Sequence, residues 1–270
     1  SAEEFEKARS LKVSFLPFSF PFEAPHFVDM LAQKRVKKSG EAVTTLDLEI
    51  QKNVEKIVKA HRERLNYRGA DQACALIVNN RTMEVIAMHG SFEFAKKDKG
   101  FNNGTAALRS PGSTLKPFLY GLAVQSGISS AFLLPDVERV YMSTHGEYFP
   151  RNYDKKEYGP VSIRTALANS LNLSAVNMLD RLGYQKFYDL LKGINLINHP
   201  SKGADYYGLG MVIGNPEVSL CQLVCAYSML ANGGLYRGLK CVRGEDAEPA
   251  KRIFSPQAAY IITDMLSDPA

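Results

Sequence analysis

Ser113 and Lys116 stand three residues apart, directly after the turn pair Pro111-Gly112. Residues at that spacing share one face of a helix, so the spacing predicts a lysine amine aimed at a serine hydroxyl. A hydroxyl is a weak nucleophile until a base takes its proton, and a lysine held neutral beside it can be that base. The chemistry implied is covalent acyl transfer. The bare S-x-x-K spacing is common, on the order of one per chain of this length by composition. An exposed lysine at a helix start reads the same way, and the flanks decide between them. Pro117 lacks an N–H and fits the first helical turn, where amides are unpaired in any case. The helix is thus expected to begin near Ser113, with its positive end beside any oxyanion forming there. Ser170-Leu171-Asn172 supplies a second hydroxyl and an amide. Alone it reads as a helix junction. Beside Ser113 and Lys116, a hydroxyl can pass a proton to a leaving amine and an amide can hold the substrate.

These residues need elements to hold them. Ala42 to Leu46 reads as a short strand, and Asp47 caps an amphipathic helix that carries Ile50, Val54, Ile57 and Val58 and ends near Gly69. Ala73–Val78 and Met83–Met88, joined by Asn79-Asn80-Arg81-Thr82, predict a hairpin. Residues 91–108 read as a loop leading to the Ser113 helix, and residues 130–160 as irregular chain rich in aromatics and turn formers. Ser162 reads as the cap of a helix over Ile163–Asn169. Helices are expected over Asn172–Leu182, stopping at Gly183, and over Tyr184–Lys192. Pro216 reads as the first residue of a long helix ending at Asn232-Gly233-Gly234. Ser255-Pro256 starts a final helix.

The chain of 270 residues is long enough for a substantial core. Its 45% apolar and 23% charged residues are ordinary for a globular protein. A net charge of +5 without a long basic stripe argues against nucleic acid, and Lys34-Arg35-Val36-Lys37-Lys38 reads as a solvated linker. No apolar run reaches bilayer length and no signal peptide opens the chain. Cys74, Cys221, Cys225 and Cys241 lack the histidines and spacing of a metal site and read as core thiols. Phe15-Leu16-Pro17-Phe18-Ser19-Phe20-Pro21-Phe22 reads as an extended connector or docking arm.

Arg109 through Phe118 resembles the nucleophile motif of class A penicillin-binding proteins, and Ser170-Leu171-Asn172 resembles their S-x-N motif. Thr44-Thr45-Leu46-Asp47-Leu48-Glu49-Ile50-Gln51 is similar to the opening of the family's transpeptidase domain. Met83–Met88 is similar to its early strand. Asn152-Tyr153-Asp154 and Gly159-Pro160-Val161 resemble the approach to the second motif, and Pro25-His26-Phe27-Val28 the connector after the glycosyltransferase domain. The likeness runs over nearly the whole chain and lies nearest the 1C type of the family.

The resemblance implies an α+β fold of the penicillin-binding protein and serine β-lactamase kind, a helical subdomain beside an antiparallel sheet. Residues 1–41 would be a connector following an absent glycosyltransferase domain, and residues 42–270 the transpeptidase domain. The family's third motif, K-T-G on a strand facing the nucleophile, occurs nowhere in the chain. The expectation is a domain cut just before that strand, lacking the sheet's C-terminal strands, and impaired or inactive for want of an oxyanion donor.

The implied activity is DD-transpeptidation in peptidoglycan synthesis. Ser113 attacks the carbonyl between two terminal D-alanines, Lys116 acts as base, Ser170 relays the proton and Asn172 orients the substrate amide. No metal or organic cofactor is required. The implied partners are peptidoglycan stem peptides, β-lactam antibiotics and other cell-wall synthesis proteins. The location is the periplasmic side of the inner membrane, with the anchor in the parent protein. The rival readings are a DD-carboxypeptidase or β-lactamase, and a non-catalytic β-lactam-binding or scaffold module.

Overall fold

The computed structural model describes residues 23–33, 41–70, 72–92, 94, 101–143, 146–246 and 249–268. The aromatic, proline-rich stretch and the basic run of the expected connector lie outside them. What is described of the connector is mainly a helix, α1 (Pro25–Gln33). Phe27 is fully buried and packs with Ala24, Val85, Met88 and Cys241, so this face of α1 is docked on the domain.

The strand expected at 42–46 is reduced to one bridge between Thr44 and Val242. Asp47 does cap the next helix, α2 (Leu48–Leu65), its Oδ1 accepting from the amides of Glu49 and Ile50 at 3.0 Å each. The helix gives way to one 3-10 turn and stops at Gly69, whose φ of 76° suits a residue without Cβ. Strands β1 (Ala75–Val78) and β2 (Val85–His89) form the expected hairpin. Its turn is closed by Asn79 Oδ1, which accepts from the amides of Arg81 and Thr82.

The helix expected from Ser113 begins differently. Gly112–Leu115 is a 3-10 turn, and the α-helix proper, α3, spans Lys116–Gln125 with Pro117 in its first turn. The stretch expected to be irregular holds two antiparallel pairs: β3 (Leu133–Asp136) with β6 (Gly159–Ser162), and between them β4 (Tyr141–Ser143) with β5 (Gly146–Tyr148). Their partners are set by pairing across the chain, which local pattern does not display.

Ser162 caps α4 (Ile163–Ala168) by accepting from the Thr165 amide. Helices α5 (Asn172–Leu182) and α6 (Tyr184–Gly193) follow, separated at Gly183, and a single turn, α7 (Ala204–Tyr207), comes after. Helix α8 (Leu220–Ala231) does not start at Pro216. Val218 exchanges both backbone hydrogen bonds with Arg109, which keeps that segment extended, and Ser219 with Gln222 forms the capping box instead. Strands β7 (Leu235–Tyr236) and β8 (Lys251–Arg252) pair, and Ser255 caps α9 (Pro256–Leu266).

The large core surrounds α3, whose Phe118, Leu119 and Ala123 are fully buried against residues of α4, α5, α6 and α9. A Cβ on Gly121 would meet the Phe254 ring at 2.6 Å, so glycine lets the segment before α9 close on α3. Cys225 and Cys241 are buried as expected of core thiols, but Cys221 is only half-buried and Cys74 is exposed.

Candidate active site

Four residues singled out from the sequence converge where α3 begins and α5 begins. The 3-10 turn leaves Ser113 exposed, while Lys116, one turn on, is 1% exposed. The turn is fixed from two sides. Ser110 Oγ donates to Gly214 O at 2.8 Å, and Tyr227 on α8 donates its hydroxyl to Thr114 O at 2.9 Å. Gly214, at φ 111°, lies so close that a Cβ there would sit 2.5 Å from the Gly112 nitrogen.

The hydrogen bonds of the Lys116 amine go to the α4–α5 break and not to the Ser113 hydroxyl. The amine donates to Ser170 O at 2.5 Å, to Asn172 Oδ1 at 2.7 Å and to Ser170 Oγ at 3.2 Å. An ammonium has three protons, and these three acceptors match them. Burial pushes the amine down to about 8, while the buried carboxylate of Asp136 pulls the other way. A lysine with that value is roughly one-tenth neutral at pH 7.

Ser170 occupies the break between α4 and α5 with φ at 54°, a left-handed conformation uncommon outside glycine and asparagine. That backbone turn presents both the carbonyl and the hydroxyl of Ser170 to one amine. Asn172 Nδ2 donates to Arg151 O at 2.9 Å, which turns its oxygen toward Lys116. The site therefore unites Lys116, Ser170 and Asn172 directly, and places Ser113 on the turn immediately before the lysine.

Two residues with no role assigned from the sequence complete the arrangement. Asp136 is fully buried at the end of β3, and Asn152, 5% exposed, lies in the loop before β6. Asn152 stands in a quoted motif, but no local pattern ties it to residues some twenty positions away. Of metal-ligating clusters, the described residues hold no group of three or more His, Cys, Asp or Glu side chains. No described helix is long and apolar enough to cross a membrane.

The fold mixes helices with short antiparallel strands, and the serine turn, the buried lysine and the serine–asparagine break lie where α3 and α5 begin. The penicillin binding protein transpeptidase domain family matches residues 73–270, and the chain belongs to that family. It is 32% identical over 272 residues to penicillin-binding protein 1C of Escherichia coli K12, covering 100% of this chain and 34% of that protein. The chain thus spans about a third of that relative's length. Among solved structures, the transpeptidase domain of penicillin-binding protein 3 from Burkholderia pseudomallei superposes with a TM-score of 0.67 at 20% identity, over 85% of this chain and 71% of that one. A Mycobacterium tuberculosis penicillin-binding protein in complex with penicillin V gives 0.69 at 18% identity, over 90% and 68%. These last two likenesses concern the fold.

Proposed function

We propose that this domain carries out serine acyl transfer on D-Ala-D-Ala stem peptides in peptidoglycan crosslinking, on the extracytoplasmic face of the membrane. The observation that carries the reading is the desolvated Lys116 amine, held by Ser170 and Asn172 beside the exposed Ser113. When the ammonium loses a proton it keeps two donors and gains a lone pair. The longest of its contacts, to Ser170 Oγ, is the one most easily released. The amine then accepts the Ser113 proton as Oγ attacks the carbonyl carbon. Ser113 O–C forms and the C–N bond to the terminal D-alanine breaks. The proton passes from Lys116 through the Ser170 hydroxyl to the leaving amine. A second strand's amine attacks the ester, the C–O bond breaks, and Ser113 recovers its proton. On this reading Asn172 orients the substrate amide with its second Nδ2 proton, the first going to Arg151 O. A penicillin follows the first half of this path, its ring amide opening on Ser113.

The rival reading is a β-lactam-binding module that holds its acyl group. Incubation with a D-Ala-D-Ala peptide plus a D-amino acid acceptor separates the two. Release of D-alanine with transfer to the acceptor supports the enzyme. A penicillin adduct on Ser113 with no peptide turnover supports the binding module. Neither adduct nor turnover from folded protein removes both.

A further inference from the structure

Helix α5 starts with three amides that no neighbouring side chain caps. Its N-cap position is Leu171, whose side chain offers no acceptor. Leaving the first amides of a buried helix unpaired is destabilising. The acceptors come from elsewhere in the chain. Asn152 Oδ1 accepts from the amides of Asn172 at 2.7 Å and Leu173 at 3.2 Å. Asp136 Oδ1 accepts from the Ser174 amide at 3.0 Å and its hydroxyl at 2.8 Å. The two capping side chains are joined, Asn152 Nδ2 donating to Asp136 Oδ2 at 2.7 Å and to Lys156 O at 2.9 Å. The Tyr158 amide completes the carboxylate at 3.2 Å. Asp136 therefore accepts four hydrogen bonds while fully buried.

From this geometry we infer that Asp136 and Asn152 are a positioning pair for the acyl-transfer site. They seat the N-terminus of α5, and so fix where Asn172 and Ser170 meet Lys116. The inference rests on the proposed function for its catalytic consequence, though not for its structural one. The pair replaces a local cap because the position before Asn172 is taken by a core leucine, 7% exposed. An acceptor from Asn152 reaches the Asn172 backbone, and the carbonyl of the preceding residue, Arg151, reaches the Asn172 side chain. One short loop thus holds both ends of the asparagine that faces Lys116.

The pair has a second effect, because its negative charge acts on the base. Asp136 is the charged side chain that acts on the Lys116 ammonium, and it favours the protonated form. The other titratable groups around α3 are engaged differently. Tyr120 lies on α3 itself as a buried neutral phenol, and Tyr227 on α8 donates to Thr114. Arg164 on α4 is paired with Asp264 of α9 and with Asp268. On α5 and α6, Arg181 stacks on Phe132, and Tyr184 and Tyr188 bond Asp205 and Lys202 O.

The test combines three readouts. In the unaltered chain, hydrogen exchange at the amides of Asn172, Leu173 and Ser174 should be as slow as in the interior of α5. In Asp136→Asn, the pH midpoint of the Lys116 amine, followed by NMR of lysine-labelled protein and assigned by its loss in Lys116→Arg, should move to lower pH by on the order of half a pH unit. The acid limb of penicillin acylation at Ser113 should move with it. In Asn152→Ala, acylation at the high-pH plateau should fall at least about tenfold while the limb stays in place. A purely structural role would lower thermal stability without displacing the Lys116 midpoint. Fast exchange at the three amides overturns the inference even if neither variant folds. An unmoved Lys116 midpoint in folded Asp136→Asn also overturns it, as does acylation within twofold of the unaltered protein in folded Asn152→Ala. If Ser113 is never acylated in the unaltered protein, the acyl-transfer reading fails. Exchange and the NMR midpoint then still judge the pair.

Discussion

At the scale of single residues, the site turns on one amine and where its protons go. Lys116 is 1% exposed and held down to about 8, so the neutral base is a minor species at pH 7. The acylation rate should therefore climb close to tenfold per pH unit below pH 7 and level off above about 8. A rate profile with penicillin checks this, and a flat profile from pH 5 to 9 contradicts it. The S-x-x-K spacing disclosed the lysine and the serine, but not the direction of the amine. A 3-10 turn replaces the first turn of regular helix, and Ser170 in its left-handed conformation offers two acceptors to the buried amine. The tertiary partner outweighed the helical neighbour.

At the scale of elements, the turn carrying Ser113 is held by close approach rather than by a local motif. Gly214 packs its Cα against Gly112 with no room for a methyl group. Gly214→Ala combines that clash with a φ of 111°, and should cost about 1–3 kcal/mol in stability and slow acylation at Ser113. Denaturant unfolding and penicillin labelling of one sample measure both. Unchanged labelling would show that the turn tolerates displacement. Caps show how far elements were readable. Asp47, Ser162 and Ser255 each announce a helix by local chemistry, and Asp47→Ala should remove about 1 kcal/mol from α2 with no effect on the site. Equilibrium unfolding and the penicillin rate check this pair of outcomes. Pro216 misled because Val218 is bound to Arg109 more than a hundred residues away. The paired strands β3–β6 and β4–β5 were hidden for the same reason, since short strands with turn-rich sequence acquire their partners only on folding.

At the scale of the whole molecule, the buried lysine leaves a mark on stability. Its folded-state value lies below the unfolded value of 10.5, so folding below pH 8 carries the cost of burying a charge. Between about pH 8 and 10.5 the unfolded chain holds that proton and the folded one has released it. Stability should rise through this window by on the order of 3 kcal/mol from this group. The buried phenol of Tyr120 has the opposite sign: its raised value preserves stability below pH 10 and withdraws it as pH climbs further. The thermal midpoint should thus increase from pH 7.5 to 9.5 and fall above pH 10, and Lys116→Met should abolish the increase. An equal increase in that variant would place the titration elsewhere. Several helices and the first hairpin were legible because helical periodicity, caps and the Asn79 turn are local signals, whereas the α+β class came from the family resemblance. The remote cap of α5 was not, because Asp136 and Asn152 meet only when β3 and the loop before β6 are in place.

The central claim is that Ser113 is the nucleophile and Lys116 its base, although the Lys116 amine rests on Ser170. The most direct test is intact mass spectrometry of the chain after penicillin exposure at pH 6 to 9, with peptide mapping of the adduct. The account predicts one adduct, on Ser113, forming faster as pH rises toward 8 and absent in Lys116→Met. An adduct mapped to Ser170, or none on folded protein at any pH, would contradict it.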